Sequence, residues 1–123
     1  MADALQNHID GRWIDASDGA RFDVFDPATG EVIATAPDSK PADAEAAVDA
    51  ARRAFDEGPW WPRTTERERG RILLRAADVV RREHERLAQL ESLDSGKPIG
   101  EAREDIDEVA DLVADLQKDA VVA

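Results

Sequence analysis

At 123 residues the chain is one domain at most, with a core that removes roughly two-thirds of its unfolded surface from water. Its 28 acidic against 16 basic residues leave a net charge of −12, a field that opposes nucleic acid and anionic membranes alike. No cysteine occurs, which excludes disulfides, thiolate metal sites and cysteine nucleophiles, and a hydrophobic content of 42% excludes wholesale disorder.

Taken in order, MADALQNHID lacks the basic start and apolar run of a signal peptide, so the cytoplasm is the expected location. In NHIDGRWID the Asp10-Gly11 pair is a two-residue turn signal between short β-prone runs, since both residues tolerate positive φ. Asp18-Gly19 marks a second turn. Phe22-Asp23-Val24-Phe25 alternates as a half-buried strand does. In the DPATG that follows, Pro27 presets φ and Gly30 closes the turn, and EVIATA is the return strand. Residues 7–37 are thus expected to form β-hairpins and residues 41–123 helices.

Ser39 or Lys40 precedes the first helix, with Pro41 in its first turn and Gly58-Pro59 at its end. Ala44, Ala47, Val48, Ala51 and Phe55 form one apolar stripe, and its alanine content predicts close approach to a neighbour. Trp60 and Trp61 follow in a loop, either as anchors filling gaps between helices or as a stacking surface for a ligand. Thr65 with Glu68 is a capping box. Ile72, Leu73, Ala76, Ala77, Val80, Leu87 and Leu90 mark the next buried face, which falters at His84 and implies a break there. His84, set among Arg81, Arg82, Glu83, Glu85 and Arg86, is expected to face solvent.

Residues 90–99, LESLDSGKPI, join two helices: Gly96 suits the left-handed stop of the first and Pro98 the opening position of the second. Ile99, Ala102, Ile106, Val109, Ala110, Val113 and Leu116 line the inner face of the last helix. Glu101, Glu104, Asp105 and Glu108 read as a solvated outer face rather than a metal cluster. QKDAVVA is weakly patterned and is expected to fray.

Chemistry is harder to find. SGKP lacks the earlier glycine and the Ser or Thr after lysine that a phosphate-binding loop needs, those places holding Glu91 and Pro98. No G-x-G-x-x-G, H-E-x-x-H or G-x-S-x-G occurs. The two histidines, His8 and His84, are isolated and accompany no nucleophile.

Several blocks at ordered separations nevertheless carry a resemblance: NHIDGRWID, FDPATGEVIATAP, AEAAVDAARRAFDEGPWW, ERGRILLRAADVVRR and, most specific, LAQLESLDSGKPIGEAREDI. From about residue 7 to residue 112 the chain resembles the N-terminal part of the NAD(P)-dependent aldehyde dehydrogenase superfamily, especially betaine aldehyde and aminoaldehyde dehydrogenases. Ser92 and Ser95 stand where that family commonly has threonine. The resemblance implies an α+β fragment, β-hairpins followed by four mainly helical segments, from the front of a Rossmann-like cofactor domain. It implies oxidation of an aldehyde to a carboxylic acid by the full-length family, with NAD or NADP as acceptor. The family's catalytic cysteine, its glutamate and its cofactor-binding residues lie downstream of the matched segment. No catalytic or cofactor-binding residue therefore maps here, and no cofactor is expected for this chain alone.

One feature does map. Some members bind a structural monovalent cation through a main-chain carbonyl before the Asn/Asp-Pro of the second hairpin and through the aspartate of LDTG or LDSG. These positions are Phe25 and Asp94, and capping or pairing near the helix end is the other role open to Asp94. After residue 112 the family continues with an aromatic-rich FRYYAG-like run, whereas this chain reads VADLQKDAVVA and has no tyrosine. The departure suggests a truncated or frameshifted gene product or a deliberate fragment, inactive alone. The alternative is a non-catalytic helical interaction or regulatory module. Self-association or association with a full-length aldehyde dehydrogenase is the expected partnership, with neither nucleic acid nor membrane.

Overall fold

The computed structural model describes residues 3–60 and 63–119, which divide into two compact units, Met1–Arg63 and Thr64–Ala123. The architecture is α+β as expected, hairpins first and four helices after. The division falls after the first helix rather than between strands and helices.

In the first unit, β2 (Asn7–Ile9) and β3 (Arg12–Ile14) pair antiparallel across the Asp10-Gly11 turn. Asp10 at φ 53° and Gly11 at φ 73° give the doubly left-handed turn whose twist matches the flanking strands. His8 and Trp13 sit opposite each other with ring centroids 4.7 Å apart. The second hairpin, β4 (Arg21–Phe25) and β5 (Val32–Pro37), closes through Asp26, whose carbonyl accepts from Gly30 N–H at 2.7 Å. A register shift between Val24 and Phe25 interrupts the alternation, and Phe22 and Phe25 are both 53% exposed.

A strand absent from the sequence reading, β1 (Asp3–Ala4), lies parallel to β5, pairing Asp3 with Ala34 and Ala4 with Thr35. Arg21 fastens it. One guanidinium nitrogen donates to Leu5 O at 2.7 Å and to Thr35 O at 3.0 Å, and another to Asp15 Oδ1 at 2.8 Å.

Helix α1 (Pro41–Asp56) starts after Lys40, which has no side-chain acceptor to offer. Asp43 does the capping instead, accepting from Lys40 N–H at 2.8 Å and from Ser17 N–H at 3.0 Å. The close neighbour of α1 within the unit is β2, and it covers only part of the alanine-rich face: Ala50 is buried and Ala47 half-buried, whereas Val48 is 67% exposed. The reason is one of length. The helix extends about 24 Å, whereas β2, which packs on it, is three residues long. Trp60 is partly exposed, and Trp61 lies outside the described residues.

The second unit is three helices, α2 (Glu66–Arg82), α3 (His84–Ser95) and α4 (Ile99–Asp119). The capping box forms as expected: Thr65 Oγ1 accepts from Glu68 N–H at 3.3 Å while Glu68 Oε2 accepts from Thr65 N–H at 2.8 Å. The break predicted at His84 is also present, at Glu83. Helix α4 packs mainly on α2 and also on α3. Among the described residues of this unit, the side chains wholly out of water are methyl groups: Ala77, Ala88 and Ala102 at 0% and Ala110 at 1% exposure. The fraying expected of the last residues concerns 120–123, which lie outside the described residues.

Candidate functional site

The junction between α3 and α4 is the stretch most specific in sequence. Gly96 takes φ 73° and ψ 10°, the left-handed stop, and its N–H donates to Ser92 O at 3.0 Å. Pro98 stands one position earlier than expected. It caps α4, its carbonyl accepting from Ala102 N–H at 3.0 Å, so the ring's fixed φ is used just before the first helical residue. Two serines tie the turn: Ser92 Oγ donates to Lys97 O at 2.7 Å and Ser95 Oγ to Glu91 O at 2.6 Å.

Lys97 turns back across this junction. Its ammonium lies 3.3 Å from Glu91 Oε1 and is hydrogen-bonded to Asp105, and these carboxylates, Asp105 foremost, hold its pKa above the usual lysine value. Asp105 is therefore half-buried and paired, a correction to its reading as part of a solvated face. No spacing rule reveals this pair, eight residues apart across a helix start. Asp94, in the last turn of α3, is exposed, and among the described residues its carboxylate makes neither hydrogen bond nor ion pair. Phe25, the other residue mapped to a cation, ends β4 in the first unit.

His84 does not simply face solvent. Its Nε2 is 3.1 Å from Arg103 O and 3.3 Å from Asp107 Oδ1 on α4. A carbonyl only accepts, so Nε2 carries the proton in this contact. Beside it, Arg103 donates two hydrogen bonds to Glu85, at 2.8 and 2.9 Å, and with Gln89 holds the Glu85 carboxyl at about 2. Asp43 in the first unit is likewise held below the usual carboxylate range, by the Lys40 N–H first and Ser17 next, against its own burial. That role was legible in principle: an acid three residues after a poor cap is half a capping box.

What these groups do is fasten helices. Among the described residues no three His, Cys, Asp or Glu side chains are placed to hold a metal; the His8 ring lies against Trp13, and His84 meets Arg103 O and Asp107. The connection from β5 into α1, Asp38-Ser39-Lys40, carries none of the glycines of a strand–turn–helix dinucleotide motif. No helix among the described residues is long and apolar enough to cross a membrane.

The aldehyde dehydrogenase family model matches residues 13–120. Aldehyde dehydrogenase family 2 member B4 of Arabidopsis thaliana is 50% identical over 90 residues, covering 73% of this chain and 16% of that protein. Betaine aldehyde dehydrogenase of Bacillus subtilis is 43% identical over 104 residues, 85% of this chain and 21% of that protein. Among solved structures, an NAD-dependent aldehyde dehydrogenase from Sinorhizobium meliloti superposes with a TM-score of 0.89 at 40% identity, covering 96% of this chain and 24% of that one. Betaine aldehyde dehydrogenase of Staphylococcus aureus in complex with NAD+ gives 0.87 at 34% identity, over 93% and 22%. The chain thus spans between a sixth and a quarter of the relatives it matches.

Proposed function

Because the chain belongs to the aldehyde dehydrogenase family, we propose that it is the front segment of an NAD(P)-dependent enzyme that oxidises an aldehyde to a carboxylic acid, and that it is inactive without the remainder. The observation that carries the reading is the outward turn of its large apolar side chains. Among the described residues no large side chain is fully buried, while Trp13, Phe25, Val48, Leu90, Val109 and Leu112 are all exposed. Surfaces of this kind are interfaces. Nucleophile, water activation and nucleotide binding all belong to the downstream part, and this segment's contribution is shape. Betaine aldehyde or an aminoaldehyde is the substrate class the resemblance favours. Cytoplasmic residence is part of the same reading, and so is association with the rest of an aldehyde dehydrogenase.

The test is reconstitution. The purified chain, given betaine aldehyde or an aminoaldehyde with NAD+ or NADP+, produces no reduced nucleotide. Co-expressed with the downstream portion of Bacillus subtilis betaine aldehyde dehydrogenase, it yields cofactor-dependent oxidation. Turnover by the chain alone would overturn the reading. The monovalent-cation role carried over to Phe25 and Asp94 belongs to the same proposal: Asp94→Asn changes the potassium dependence of the reconstituted enzyme if the role is real, and leaves it untouched if not.

A further inference from the structure

On the second unit an open groove of about 490 Å³ runs between α3 and α4, lined by Ile106, Val109 and Leu112 and rimmed by Glu91, Asp105 and Glu108. The three aliphatic residues lie on successive turns of α4. Val109 is 45% and Leu112 63% exposed, so the floor is open to a partner. Lys97 offsets part of the rim by sitting between Glu91 and Asp105, whereas Glu108 has no ion pair among the described residues.

An aliphatic floor under an acidic rim is complementary to a helix with an apolar face and basic margins. Charge also decides between the occupants open to it. A second copy of this chain brings the same carboxylates and a net charge of −12 to a symmetric contact, where like meets like. The geometry points to a helix of the downstream part of an aldehyde dehydrogenase, apolar on one face and carrying lysine or arginine along its margins, as the occupant of this groove. This rests on reading the chain as a front segment and specifies which of its surfaces receives the remainder, and by what chemistry.

The test uses overlapping peptides of about 20 residues, long enough for a helical anchor pattern. They are tiled along Bacillus subtilis betaine aldehyde dehydrogenase downstream of the matched region and titrated with the intact chain by fluorescence anisotropy. The peptides that bind should carry lysine or arginine beside an apolar helical face. Both the Leu112→Glu chain and a peptide with its basic residues changed to Glu should weaken binding by about tenfold or more, as loss of a central anchor does. Leu112→Glu makes the chain more acidic, so mere attraction of a cationic peptide would survive it undiminished. Should that variant lose its helical circular dichroism, Glu108→Lys takes its place, with the same weakening expected. Four results overturn the inference: no peptide binds; acidic or neutral peptides bind as well; the variant binds undiminished; or the chain pairs with itself through the groove and Leu112→Glu dissolves the pair. Successful reconstitution without peptide binding would remove the groove while leaving the front-segment reading in place.

Discussion

The two units solve the same problem with opposite means. The first is held by polar fasteners: Arg21 binds β1, β5 and Asp15 together, and Asp43 ties the start of α1 to Ser17. The second is held by near contact of backbones, with Ala77, Ala88, Ala102 and Ala110 at its centre and charged pairs across its helices at the edge. Hydrogen-bonded hubs fix position without needing a core, whereas alanine packing fixes distance and works only if nothing larger intrudes. In both units many large apolar groups, Trp13, Phe25, Val48, Leu90, Val109 and Leu112 among them, are left exposed, available to something else.

If that contrast is right, bulk at an alanine of the second unit has the largest effect. Ala102→Leu forces side chains off their rotamers at a position with no exposure, costing about 1–3 kcal/mol. A thermal melt followed at 222 nm checks it, and an unchanged melt would break the claim of near contact. Next, Gly96→Ala puts a side chain into the left-handed conformation at φ 73° and costs about 1–2 kcal/mol in the same melt.

Thr65→Ala removes half of a capping box that starts α2 and costs about 1 kcal/mol. In the first unit, Arg21→Met strips Leu5 and Thr35 of a shared donor, a loss of about 1 kcal/mol. Amide exchange separates the two means: Leu5 N–H, bonded to Thr35 O at 2.8 Å, should lose protection in Arg21→Met and keep it in Ala102→Leu.

The smallest effect is acidic. Glu85 has its pKa lowered from 4.5 to about 2 by the Arg103 bond and then by Gln89. A depressed carboxyl contributes stability in full above its unfolded value and loses it as pH falls through the folded one. Acid titration of helicity should therefore be steeper between pH 4.5 and about 2 in the parent chain than in Glu85→Gln.

Legibility followed range. The Asp10-Gly11 turn, the Gly96 stop, the Thr65 box and the break before His84 were all readable, because each is a demand of a few consecutive backbone groups on φ or on a hydrogen-bond partner. What depended on distant neighbours was not. The two residues of β1 have no periodicity to read. The stripe on α1 declares an apolar face but not what covers it. His84 sits in a charged run that suggests solvent, yet its ring meets a carbonyl nearly twenty residues away on α4. The candidate site followed the same rule: SGKP announced a helix junction, while the Lys97 bond to Asp105 left no trace in spacing. Family resemblance supplied the proposed chemistry, which no local motif of this stretch announces.

A centre made of methyl groups also has a calorimetric signature. Around it in the second unit, aliphatic side chains, Ile72, Leu73, Val80, Leu87, Ile106 and Val113 among them, are only partly buried. Unfolding therefore newly exposes less of their apolar surface than full burial would, and both the heat-capacity increment and the denaturant slope scale with newly exposed area. The second unit, wholly burying little beyond Ala77, Ala88, Ala102 and Ala110, should unfold with an increment below the roughly 12–15 cal/mol/K per residue of ordinary domains. Its stability curve would then be shallow, nearly flat across the temperatures at which a cell lives.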